Sequence, residues 1–300
     1  MDESQSGDGA ANGAGNGAAN GAGFGARVAA AVARTGPLCA GIDPSPELLD
    51  AWGLGDDGSG LRQFGLRCVE AFAGVVPVVK PQVAFFERCG SAGVAALEAV
   101  LEEARSAGLL VIADAKRGDI GTTMEAYAQA WLDPDSPLRA DAVTAAPYLG
   151  LGALQPMIDL AGATGRGVLV VARSSNPEGR SLQEARTDRG RGPAVEDMVL
   201  SGIAELNGSG TIPPGTVGAV VGATLGPSEF RLADLGGVIL APGVGAQGGT
   251  AAGVGALFGA CPAGSVLASS SRSLLTMGPD VTALAEAAAK ARDEMADVLG

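Results

Sequence analysis

The chain has 300 residues, 47% of them hydrophobic, and carries 33 acidic against 20 basic side chains for a net charge of −13. That length can bury one large core or two modest ones, and the acidic field excludes a general binder of nucleic acid or of anionic membranes, because it repels both. Histidine is absent, and Cys39, Cys68, Cys89 and Cys261 are scattered without a CxxC pair, which sets aside zinc sites and histidine triads and fits reduced thiols in a cytoplasmic protein.

Residues 1–23 are small, polar and glycine-rich, with no basic start and no apolar stretch of signal-peptide type. They read as a disordered low-complexity tail rather than a targeting segment. No apolar run approaches the roughly 20 residues of a membrane span. From residue 24 to 300 the pattern is that of one domain. Candidate strands are Leu38–Ile42, Val75–Val79, Leu109–Ala113, Ala142–Ala145, Val168–Ala172, Val217–Val221, Val238–Leu240 and Val266–Ala268. Helical patterns over Leu61–Ala73, Gly93–Ala107, Thr123–Trp131, Leu151–Leu160, Ala194–Leu206 and Ser228–Leu235 lie between them, and Val281–Val298 closes the chain. In the second of these, Val94, Leu97, Leu101 and Ala104 fall on one stripe and Glu98, Glu102 and Arg105 off it.

Eight apolar strands alternating with helices predict the α/β class and a single parallel (β/α)8 TIM barrel, since strands covered on both faces lose the polar alternation of open sheets. A doubly wound sheet is the rival, because sequence alone does not show closure. The polar stretch 174–192 is too long for a routine connection and would form a loop on the carboxyl face of the strands, where active-site lids lie.

In such a barrel the chemistry sits where strand carboxyl ends meet the following loops. The densest cluster is Asp114-Ala115-Lys116-Arg117-Gly118-Asp119, after the third strand. Alternation along a strand puts Asp114 and Lys116 on one side, and Gly118 allows a sharp turn before the second acid, Asp119. Other strands end in Asp43, in Lys80 (Val79-Lys80-Pro81-Gln82), in Arg173-Ser174-Ser175-Asn176-Pro177 and in Ser269-Ser270-Ser271-Arg272. The seventh runs into Pro242-Gly243-Val244-Gly245-Ala246-Gln247-Gly248-Gly249. Backbone amides of so many glycines can approach an anion closely and Arg272 adds a fork of donors, so the last two strand ends read as a phosphate grip. Gly243-x-Gly245-x-x-Gly248 also matches the dinucleotide fingerprint. It comes late in the chain, without a clear following helix and without an acidic residue about 20 positions on, so that reading is rejected.

Taken in this order, these motifs, with Pro147-Tyr148-Leu149-Gly150, resemble the orotidine 5′-phosphate decarboxylase family, in particular its longer bacterial branch, over roughly residues 36–280. The resemblance implies cofactor-free, metal-free conversion of orotidine 5′-monophosphate to UMP and carbon dioxide by a homodimer with shared active sites. It implies an alternating charge network of Lys80, Asp114, Lys116 and Asp119, with Lys116 as the general acid, and it places Asp119, Ile120 and Thr123 in the partner's site. Asp43 and Lys80 would hold ribose hydroxyls, Ser175 the pyrimidine, and Gln247 and Arg272 the phosphate, with Pro242 and Gly248 in the same substrate-binding loop. The pattern departs at Ala145-Ala146, where a polar residue is expected near strand four.

Three other readings stay open on the residues alone. A metal-dependent sugar-phosphate lyase or synthase would use a similar Asp-x-Lys-x-x-Asp strand. A Schiff-base aldolase would use Lys116 as nucleophile, which flanking acids disfavour. A retired barrel would bind a nucleotide phosphate without turnover.

Overall fold

A computed structural model describes residues 22–226 and 231–300. The expected tail lies outside the described residues except for Ala22 and Gly23. So does the start of the expected helix Ser228–Leu235, whose described part holds only a 3-10 turn, Leu232–Asp234.

Eight strands form a closed parallel barrel in chain order: β1 (Leu38–Ile42), β2 (Val78–Pro81), β3 (Leu110–Arg117), β4 (Ala142–Ala145), β5 (Gly167–Arg173), β6 (Val217–Val221), β7 (Ile239–Pro242) and β8 (Val266–Ser270). Closure is made by β8 against β1, where Leu38 pairs with Ala268. The doubly wound alternative is excluded by that pairing. β2 starts three residues later than expected, because the Val75 and Val76 N–H groups are taken by the Phe72 carbonyl that ends the preceding helix. β3 runs four residues beyond Ala113, carrying Asp114 and Lys116 into the sheet itself.

The expected helices appear as Gly58–Phe72, Gly90–Ser106, Gly121–Leu132, Val195–Gly208 and Val281–Leu299, while Leu151–Leu160 resolves into a 3-10 turn and a helix over Gln155–Thr164. Asp57 caps the first of these by accepting from Ser59 and Gly60 N–H groups, and Asp280 caps the last. Sequence reading missed the helix Phe24–Thr35 and the short helices Pro46–Ala51 and Val83–Glu87.

Burial divides into two shells. The larger packs the outward faces of the strands against the helices. The smaller fills the barrel, with Cys39, Val78, Ile112, Ala142, Leu169, Val220, Val238, Leu240 and Leu267 in contact with Phe24 and Val28 of the first helix, which plugs the amino end. Gly167 makes room for this plug, since a Cβ there would lie 2.3 Å from the Phe24 ring. The interior is therefore dry at the bottom. Burial is the main reason that the Cys39 thiol is pushed up to about 12, against the opposing pull of Lys80 and Ser269.

Candidate active site

Side chains alternate along a strand, so the residue two places beyond each interior apolar residue is the next to face inward. On β2, Val78 is followed by Lys80; on β3, Ile112 by Asp114; on β4, Ala142 by Thr144; on β8, Leu267 by Ser269. All four polar residues are buried. The barrel is thus apolar below and charged at its carboxyl end, and above this layer opens a cavity of about 280 Å³.

Asp114 is the hub of this layer. Its Oδ2 accepts from Lys80 Nζ at 2.8 Å and from Gln82 Nε2 at 3.1 Å, and its Oδ1 accepts from Thr144 Oγ1 at 3.0 Å and from Lys116 Nζ. Burial by itself would push the Asp114 carboxyl up, but the Lys80 and Lys116 cations outweigh it and hold it well below the usual carboxylate range. Burial likewise opposes the Lys80 charge, yet the carboxylates of Asp114 and Asp43 keep its pKa above that of an ordinary lysine. Lys80 and Asp114 are therefore a charged pair held with little exposure in the cavity wall, whereas Lys116 has a half-exposed side chain reaching into the cleft.

The local chain geometry that aims Lys116 is unusual. Its φ is +47°, in the left-handed region that costs a residue with a Cβ about 1–2 kcal/mol. β3 and β4 pair regularly at Ala113–Val143 and resume at Arg117–Ala145, so residues 114–116 face Thr144 alone. Bulges of this kind re-aim side chains beside active sites. The turn that Gly118 was expected to permit is made by Lys116. Gly118 serves close approach, because a Cβ on it would lie 2.5 Å from the Ala146 carbonyl oxygen.

Of the residues singled out from sequence, Asp43, Lys80, Asp114, Lys116, Pro242, Gln247 and Arg272 line this one cavity. Asp43 Oδ2 accepts from Ser271 Oγ, and its Oδ1 is buried with no hydrogen-bond partner among the described residues. The loop 243–249 turns through positive φ at Gly243, Gly245 and Gly248 and closes on itself by Gly245 N–H to Gly249 O and Gly249 N–H to Gly243 O. Arg272 stands across from it at the start of a short helix, exposed and without an ion pair among the described residues. A helix does follow the loop, Ala251–Phe258, contrary to expectation, and Thr250 caps it. The loop sits after the seventh strand rather than the first, so the dinucleotide reading gains nothing from that helix.

Asp119, Ile120, Thr123, Ser175 and Gly248 are not brought into the cavity lining. Asp119 accepts from its neighbour's N–H, Ile120 is 63% exposed, and Thr123 lies on the same exposed edge. Ser175 is exposed above Gly222. The segment 174–192 is folded into short turns and anchored by Glu184, which pairs with buried Arg173 of β5, and Arg173 also meets Glu196 at 3.1 Å. It borders a second, largely apolar cavity of about 800 Å³ that shares Lys116 with the first. Sequence reasoning quoted Gln82 and Ser271 within motifs without giving them a role, and it passed over Thr144, Ser45, Leu48 and Phe85. Thr144 was findable as the only hydroxyl in an apolar strand, in phase with Ala142.

Taken together, the closed barrel and its charged rim define a (β/α)8-barrel protein with a charged cleft at the carboxyl ends of its strands. Residues 36–287 match the sequence profile of the orotidine 5'-phosphate decarboxylase / HUMPS family. The chain belongs to this family. An orotidine 5'-phosphate decarboxylase from Salinispora arenicola (strain CNS-205) is 56% identical over 259 residues, covering 86% of this chain and 91% of that one. One from Streptomyces coelicolor is 52% identical over 258 residues, with 86% and 91% coverage. Among solved structures, one from Streptomyces avermitilis is 49% identical and superposes with a TM-score of 0.85, covering 93% of this chain and 96% of that chain.

Proposed function

We propose that this protein decarboxylates orotidine 5'-monophosphate to UMP and carbon dioxide without metal or organic cofactor, serving pyrimidine synthesis in the cytoplasm. The observation that carries the reading is the single buried hub, in which Asp114 is ion-paired to Lys80 on one oxygen and to Lys116 on the other. The C6–carboxylate bond breaks, its electron pair stays on C6 as a vinyl carbanion, and Lys116 gives that carbon a proton. At about 4 Å and an effective dielectric of about 20, one ammonium facing the developing carbanion contributes on the order of 4 kcal/mol. Asp114 faces the departing carboxylate and fixes the lysine that replaces it. Asp43 Oδ1, a buried acceptor without a partner among the described residues, takes a ribose hydroxyl, and Lys80 takes another. Gln247, Arg272 and the loop from Pro242 to Gly248 hold the phosphate. Phosphate binding far from C6 provides energy for orienting the reacting carbon. Ser175 reaches the pyrimidine when the 174–192 segment closes.

Asp119, Ile120 and Thr123 complete the site of a second copy in a homodimer, which accounts for their exposure here and their distance from this chain's own cavity. The testing experiment follows the ultraviolet absorbance of orotidine 5'-monophosphate with purified protein in EDTA, beside Lys116→Ala. Metal-free turnover that the variant abolishes is the expected result. No turnover and no UMP binding moves the case to a metal-dependent sugar-phosphate enzyme, and UMP binding without turnover to a retired barrel.

A further inference from the structure

We infer that Thr144 is a positioning residue for the proton transfer: its single hydroxyl sets the separation and orientation of Asp114 and Lys116 across the β3–β4 bulge. The inference rests on the decarboxylase reading above. Thr144 Oγ1 accepts the Lys116 backbone N–H at 2.9 Å and donates to Asp114 Oδ1 at 3.0 Å. The oxygen it donates to is the one that receives the Lys116 ammonium. One side-chain atom therefore touches both the backbone of the proton donor and the carboxylate that orients it.

The arrangement follows from the missing ladder. Regular pairing lapses between Ala113–Val143 and Arg117–Ala145, leaving the Lys116 N–H without a backbone acceptor on β4. A buried N–H without a partner is costly, and Thr144 Oγ1 supplies the acceptor. The same bond pins Lys116 at φ +47°, a conformation that persists only where surroundings over-determine it. Having accepted from Lys116, the hydroxyl has its hydrogen left to point at Asp114, so its rotor has one satisfied orientation. Only 1% of Thr144 is exposed, so its hydroxyl is held by these two partners rather than by solvent. Thr144 needs no contact with substrate to matter: displacement of a reacting group by about 1 Å can cost on the order of a hundredfold in rate.

The test compares wild type with Thr144→Val, which keeps shape and loses both hydrogen bonds, and with Thr144→Ser, which keeps both and loses the methyl. Steady-state turnover of orotidine 5'-monophosphate is read with a thermal melt of each protein. The expected result is that kcat of Thr144→Val falls by about tenfold to a hundredfold while KM stays within about threefold, because Asp43, Gln247 and Arg272 are untouched. Thr144→Ser should remain within about threefold of wild type in both. If Thr144→Val does not fold, the comparison moves to Thr144→Ala against Thr144→Ser, with the same expected split. Wild-type kcat in the valine or alanine variant, or a serine variant as slow as they are, overturns the inference. A wild-type protein that does not decarboxylate overturns the underlying reading instead.

Discussion

At the scale of single residues, the buried Lys80–Asp114 pair is costly to assemble and costlier to break. Removing the Asp114 charge leaves buried Lys80 with only the Asp43 carboxylate to offset it, so Asp114→Asn should destabilise by about 3–5 kcal/mol at neutral pH, read as a shift in denaturant midpoint. The pH dependence has a definite sign. Asp114 is held below its unfolded value near 3.9, so its contribution is complete above about pH 4 and is lost as pH falls through the lower folded value. Lys80 is held above its unfolded value, so its share is complete below about pH 10 and lost only as pH rises beyond that. Wild type should therefore lose stability below about pH 4 more steeply than Asp114→Asn does, and parallel acid limbs for the two proteins would show that Asp114 is not the group titrating. Arg272 is the opposite kind of residue, exposed and without an ion pair among the described residues, so Arg272→Ala should leave the melt unchanged. Loss of charge-assisted bonds to a phosphate should cost about 3 kcal/mol, more than a hundredfold in kcat/KM. Near-normal kinetics would remove Arg272 from the phosphate site.

Among the elements, strand placement was readable because parallel strands covered on both faces are continuous apolar runs, and Ala142–Ala145 and Val217–Val221 needed no correction. The active-site strands were readable at their polar ends for a related reason: a charge at the end of an apolar run has few structural uses. The bulge was not readable. Nothing in Asp114-Ala115-Lys116 says that the lysine takes a positive φ, because the cause lies on β4 in the Thr144 hydroxyl. The helix Phe24–Thr35 was passed over although Phe24, Val28 and Ala31 recur at helical spacing on one well-defined face, because it directly follows a glycine-rich tail. Its role is tertiary, since Phe24 packs against Gly167 inside the barrel's amino end. Phe24→Ala should cost about 3–5 kcal/mol by removing a wholly buried ring, measured by chemical denaturation. Because the site lies at the other end of the barrel, kcat at low temperature should hold to within about twofold. A large loss of kcat in a folded variant would mean that the plug sets the geometry of the carboxyl end as well.

For the whole molecule, the placement of Asp119 decides how many chains make one site. Among the described residues it accepts only its own neighbour's N–H, yet it lies three residues beyond Lys116, in the loop that follows β3, and beside an unusually apolar rim. Ile120 is 63% exposed, and at the end of the adjacent strand Tyr148 is 78% and Leu149 53% exposed. Large apolar side chains gathered at one rim mark an interaction surface, and a two-fold dimer through this edge would present each Asp119 to the opposite cleft. The prediction is complementation. Lys116→Ala and Asp119→Ala should each be inactive alone. Refolded together in equal amounts, half of the dimers are mixed, and each mixed dimer holds one intact site, made by Lys116 of one chain and Asp119 of the other. Activity should therefore return to about a quarter of the wild-type level. A site built within one chain gives no recovery on mixing, whatever the oligomeric state. Adding Ile120→Asp to both variants should also abolish the recovery, because a carboxylate buried in the apolar seam without a partner costs several kcal/mol and separates the chains. That loss should appear in sedimentation as monomers, with a melt that is lower and no longer depends on protein concentration, because the partner's stabilising contact is gone.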